Sequence, residues 1–119
     1  MDDERPRGLL AWQWDAYPKA HRDRGNLLLH VASWPLFVAG LLAVVAWPLH
    51  RDGRVLVAGV LAMPFAMLLQ GRGHRREQEP PAPFRGPLDV VARIFAEQLV
   101  TFPRFLFGGA FLRAWRAAR

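Results

Sequence analysis

The sequence predicts an all-α helical membrane protein: an antiparallel transmembrane hairpin followed by amphipathic and re-entrant or interfacial C-terminal helices. Three observations carry that expectation. Residues of the set AVILMFWYC make up 52% of the 119-residue chain and ten glycines add to them, above the roughly 45–50% usual for soluble domains. They are concentrated in three stretches, 27–49, 55–69 and 94–112, separated by segments rich in Arg and Pro. The first stretch runs 23 residues without Asp, Glu, Lys or Arg, and as a helix it would measure about 34 Å, enough to cross a bilayer.

The expected organisation is one helical domain over 1–119. Residues 1–26 are polar with an aromatic patch, Trp12, Trp14 and Tyr17 before Pro18; such rings suit a bilayer interface and equally a small packed core. The opening Met-Asp-Asp-Glu-Arg-Pro lacks the basic start and short apolar run of a secretory signal, so the apolar segments are expected in the mature protein. The first span is expected over 27–49, interrupted by Pro35 and Pro48, with a bend near Val31 or Ala32. His50 to Arg54 reads as a tight turn around Asp52-Gly53, with His50 solvated. The second span, 55–70, is short, about 22 Å for its apolar part, and reaches across if Arg54 and Arg72 snorkel.

Glycines 71, 73 and 86 and prolines 80, 81, 83 and 87 predict a loop over 71–87. After it, Leu88, Val91, Ala92, Phe95 and Leu99 share one helical face, while Asp89, Arg93 and Glu97 form an i, i+4, i+8 stripe on the other. That pattern predicts a surface or interfacial helix. The rest of 88–115 is apolar but carries Pro103 and Gly108-Gly109. Five basic residues precede the first span and four follow the second, against Arg51 and Arg54 in the turn. By the positive-inside rule the N-terminus and the 71–87 loop are cytoplasmic, and a third crossing would put Arg113, Arg116 and Arg119 on the wrong side.

Several function classes fall away. The absence of Cys excludes disulfides, thiolate catalysis and Cys-containing metal sites. The net charge of +6, nearly all from arginine, fits an anionic membrane surface better than nucleic acid, because the arginines flank apolar blocks. No GxSxG, Walker loop or GxGxxG occurs.

The chemistry-bearing residues gather at one end of the expected hairpin. His30 stands inside an otherwise apolar helix, so it is bonded to a neighbour, binds a metal or relays protons. Asn26 lies one turn before it, as its partner or as a helix cap. His21 lies nine residues before His30, on the opposite face of a continuous helix, so convergence requires a bend near Gly25. The hairpin returns His74 beside residues 21–30, and Glu77 follows at i+3. Three imidazoles and a carboxylate would then meet without Cys, a set that suits iron, zinc or manganese and, with open positions, oxygen chemistry at Fe(II). Arg72, Arg75, Arg76 and Arg85 read as anchors to lipid phosphate, well placed for a lipid carboxylate too.

His21-x4-Asn26-x3-His30 entered by Tyr17, with Gly73-His74, Glu77 and Pro81-Ala82, and the tail Glu97-Gln98 to Phe102-Pro103-Arg104-Phe105 and Gly108-Gly109, resembles a family of small polytopic membrane proteins. It is the family typified by the fungal 2-hydroxy fatty acid dioxygenase of phytosphingosine degradation, in what looks like its bacterial branch, and the likeness spans about Tyr17 to Trp115. The resemblance implies an Fe(II)-dependent oxygenase that uses molecular oxygen to remove one carbon from a membrane-derived 2-hydroxy fatty acid. It implies His21, His30 and His74 as iron ligands, with Asn26 and Glu77 orienting or completing the shell. The alternative from another class is a non-catalytic membrane scaffold or accessory protein whose histidines make structural hydrogen bonds. A soluble helical lipid-binding module is disfavoured, because 23 uncharged residues are hard to bury in so short a chain.

Overall fold

The computed structural model describes residues 5–119 and is all-α. A first helix, α1 (Leu9–Ala16), runs into a 3-10 turn over Tyr17–Ala20. Two long helices follow, α2 (Arg24–Val45) and α4 (Gly53–His74), joined by the short α3 (Trp47–His50). The C-terminal arm comprises α5 (Pro87–Ala96), a π turn over Glu97–Thr101, α6 (Phe102–Phe107) and α7 (Ala110–Ala117). Both α2 and α4 have 22 residues and are apolar enough to cross a membrane.

The two long helices pack antiparallel because glycine lets their backbones touch. A Cβ on Gly40 would lie 2.9 Å from the Gly59 carbonyl oxygen, and one on Gly59 2.7 Å from that of Gly40. At the far end Gly73 faces Asn26, whose side chain fills the space a Cβ would need. This contact explains a shift from the expected boundaries: α4 continues through Gly71 and Gly73 to His74 and is not a loop from 71. Asp52 caps it by accepting from Arg54 N–H at 2.9 Å, so the second apolar helix is 53–74, longer than 55–70. Likewise α2 starts at Arg24, where Asp23 accepts from Asn26 N–H at 2.9 Å, and ends at Val45, before the expected limit of 49. Pro48 falls in the first turn of α3, where its missing N–H costs nothing, and both long helices run through an internal proline, Pro35 and Pro64.

The charged stripe of α5 departs further from expectation. Asp89 and Arg93 are turned inward, each with a side chain 10% exposed. Asp89 accepts from Arg5 Nη1 at 2.6 Å, and Arg93 lies against the rings of Trp12 and Phe84. The apolar face turns outward, with Leu88 at 87% and Val91 at 55% exposure. Trp12, Trp14 and Tyr17 pack inward: Trp14 leans on a cluster of Tyr17, Leu27, Phe102 and Phe105, and Tyr17 is 5% exposed.

Candidate metal centre

The break between the 3-10 turn and α2, at residues 21–23, brings His21 back over His30; Gly25 itself is helical. The Tyr17 carbonyl accepts from His21 Nδ1–H at 2.7 Å, and the Asn26 carbonyl accepts from His30 Nδ1–H at 3.0 Å. A carbonyl can only accept, so both Nδ1 atoms carry protons, and in the neutral rings both Nε2 atoms then present lone pairs. Those two Nε2 atoms face each other at 3.3 Å. Neutral rings so arranged cannot bond to one another; they suit a cation between them. Two imidazole nitrogens about 2.1 Å from one ion sit roughly 3.0–3.4 Å apart for right-angle to tetrahedral geometry.

His74, at the end of α4, brings its ring centroid to 4.9 Å from those of His21 and His30. Its buried Nδ1 has no hydrogen-bond partner among the described residues. The fourth member is Glu97, whose Oε2 lies 3.5 Å from His30 Nε2 and 3.9 Å from His21 Nε2. One donor atom from each of the four lies within 4.8 Å of every other. Ligands about 2.1 Å from a common ion lie no more than roughly 4.2 Å apart, so small side-chain rotations close the site. The cluster is therefore able to coordinate a divalent metal.

Of the expected residues, His21, His30 and His74 come together. Asn26 contributes through its main chain, holding His30, while its amide donates to the Ala20 carbonyl at 3.1 Å and to Glu77 Oε2 at 2.7 Å. Glu77 is not the carboxylate of the cluster: it accepts from the N–H groups of Arg22 and Asp23 at 2.9–3.0 Å, pinning the start of α2 to the end of α4. The chain turns away after His74, so His74 and Glu77 do not share a helical face. His50, expected to be solvated, donates from Nε2 to the Ala43 carbonyl at 2.7 Å and accepts from Asp52 N–H at 3.0 Å.

Glu97 is delivered by the π turn. The Pro103 ring, which has no N–H for the Leu99 carbonyl, disfavours a regular helix there, and the widened turn swings Gln98 and Thr101 inward. Polar groups in and just before the turn find partners: in α5 the Arg93 carbonyl accepts from Gln13 at 3.0 Å, and in the turn the Gln98 carbonyl accepts from Trp34 at 2.7 Å and the Gln98 side chain pairs reciprocally with Gln70 at 2.8 and 3.1 Å. Tyr17 donates its hydroxyl to Glu97 Oε2 at 2.6 Å.

Burial would raise the Glu97 carboxyl, but it is held down to about 2 once the facing imidazoles, His30 first and then His21, take up protons, with the Tyr17 hydrogen bond adding to the effect. Burial, with His30 adding to it, pushes the His21 imidazole well below its usual value, which keeps it neutral as a ligand must be. Burial and the Glu97 charge push the Tyr17 phenol well up, so it stays a donor. Comparisons with family models, curated proteins and solved structures give no match to this chain.

Proposed function

We propose that the protein is a membrane-embedded, iron(II)-dependent oxygenase acting on a lipid-derived 2-hydroxy fatty acid and shortening it by one carbon. The observation that supports it most is the pair of lone-pair-bearing Nε2 atoms of His21 and His30, locked by backbone carbonyls at 3.3 Å beside His74 and Glu97. Three imidazoles and one carboxylate leave positions of a six-coordinate ion open, and iron(II) held there would supply the chemistry with O2 that no side chain of a Cys-free chain provides. Iron as the metal and the 2-hydroxy acid as substrate rest on the family resemblance. A cavity of about 180 Å³ reaches the cluster between Tyr17, Lys19 and the Pro80–Ala82 stretch, with Arg93 on its wall. Lys19 and Arg93 line that space and can pair with a carboxylate head group, while Glu79 and Glu97 also line it.

Membrane residence is supported by an inverted distribution of polarity. Gln13, His21, Asn26, His30, Gln70 and Gln98 are buried, while Leu42, Leu49, Leu61, Leu68 and Phe107 are more than 60% exposed. Only 22% of the apolar window of α2 and 17% of that of α4 is buried, whereas the core helix of a soluble protein would be mostly covered. In this reading α2 and α4 span the bilayer, the N-terminus and the metal end are cytoplasmic, and the C-terminal arm lies at the interface with its apolar face in lipid.

Detergent-purified protein is expected to carry about one iron per chain after anaerobic loading and to consume O2 with 2-hydroxypalmitate, and His30→Ala to do neither while staying helical. Wild-type protein that binds no metal removes the proposal; metal binding without O2 uptake removes the oxygenase part.

A further inference from the structure

We propose that Tyr17 is a positioning residue that sets how Glu97 meets the metal; this rests on the metal reading above. Tyr17 holds two members of the cluster at once. Its carbonyl fixes His21 Nδ1 at 2.7 Å and its ring stacks on the His21 imidazole at 3.8 Å, with the planes 19° apart. Its hydroxyl donates at 2.6 Å to Glu97 Oε2, the same oxygen that faces the Nε2 atoms of His30 and His21.

A carboxylate oxygen has two lone pairs. With one taken by the phenol, Oε2 has the other to offer toward the histidines. Turning the carboxylate so that both oxygens reach the ion would break a short, charge-assisted hydrogen bond in a buried place, which is costly. Tyr17 therefore keeps Glu97 a one-oxygen ligand and leaves a coordination position free for an exogenous molecule. The packing supports the same role, since Tyr17 is 5% exposed, wedged against Phe105 at 5.0 Å between ring centroids, and lines the cavity that reaches the cluster.

Cobalt(II) is a suitable probe, because its visible absorption reports coordination number. Tyr17→Phe keeps the ring stack and the main-chain bond to His21 and deletes only the hydroxyl. It is expected to weaken cobalt binding by about 10–100-fold, the usual effect of removing a group that orients a ligand, and to change the visible spectrum as Glu97 turns its second oxygen inward. His50→Ala, at the other end of the long helices, is the structural control and is expected to leave both readouts at wild-type values. Tyr17 is the sole tyrosine, so ultraviolet resonance Raman of the wild type gives an independent reading that needs no variant. Its hydrogen-bond-sensitive doublet is expected to show the donor state both before and after cobalt is loaded. Wild-type cobalt affinity and spectrum in Tyr17→Phe, or a doublet that leaves the donor state on loading, overturns the role of Tyr17 and leaves the metal site standing. A wild-type chain that binds no cobalt overturns both.

Discussion

At the turn between α2 and α4, His50 spends both ring nitrogens on the backbone, one donating to Ala43 and the other accepting from Asp52. At the opposite end of the same two helices, His21 and His30 each spend one nitrogen on a carbonyl and direct the other at the other ring, with His74 and Glu97 completing the group. The first histidine is fully used by the fold. The others are half used, and what remains free converges. A buried imidazole is thus informative through its second nitrogen: where that atom meets a backbone group the residue is a strut, and where it meets other ligand atoms it is able to hold a cation.

Substitution at the two ends should separate these roles most sharply. His74→Ala is expected to abolish metal binding, since it removes one of four donors. His50→Ala is expected to retain full metal occupancy and to lose about 1–3 kcal/mol of stability, the sum for two hydrogen bonds worth about 0.5–1.5 kcal/mol each. Metal content by elemental analysis and thermal melting of the same detergent preparations test the pair. Loss of metal in His50→Ala would break the distinction between the ends.

The two carboxylates offer a smaller contrast of the same kind. Glu97 faces the imidazoles, whereas Glu77 ties the main chain at residues 22 and 23 to the end of α4. Glu97→Gln is expected to weaken metal binding by more than the roughly 10–100-fold that a supporting group costs. Glu77→Gln is expected to weaken it by less than that, while lowering the melting temperature because charge-assisted bonds to the α2 terminus become neutral ones. Titration with cobalt(II) ranks the two; equal losses would mean that Glu77 governs the site as strongly as Glu97.

Much of this was legible in the residues. An uncharged 23-residue run, a turn and a second apolar run place His74 beside His21 and His30 by topology alone, and the isolated His30 in an apolar helix marks a site through the cost of burying it. Glu97 escaped because it extends the ladder Asp89, Arg93, Glu97, which in water reads as a solvated face. The same sequence carried the opposite signal: Glu97 and Gln98 interrupt an apolar stretch just as His30 does, and Pro103 four residues past Leu99 makes a regular helix unfavourable there. In this helix the charged side turns inward and the apolar side outward, the reverse of the face assignment that water would dictate. The end of α4 was hidden for another reason, because Gly71 and Gly73 disfavour helix by propensity, and the packing of Gly73 on Asn26 is a tertiary contact that propensity does not contain.

Acid should expose the smallest of these differences. Burial, and then the neighbouring His30, depresses the His21 imidazole in the folded protein, so the unfolded chain takes up that proton near the ordinary value of about 6.5 while the folded chain resists. Stability of the metal-free protein is then whole above about pH 6.5 and declines below it, by at most about 1.4 kcal/mol per pH unit for this one proton. Glu97 acts in the other window. Its carboxyl is held at about 2 against an ordinary 4.5, so its contribution is present above pH 4.5 and lost only as the pH falls toward 2. Between pH 6.5 and 4.5 the slope therefore reports the imidazole end of the cluster without interference from the carboxylate. Melting of EDTA-treated protein in detergent from pH 8 to pH 5 should show the decline, and His21→Phe should make it shallower without removing it, since the other imidazoles of the cluster remain. A wild-type melting temperature that does not move over that range would mean that His21 is not held neutral by its surroundings and that the two ends of the helices differ less than their hydrogen bonds imply.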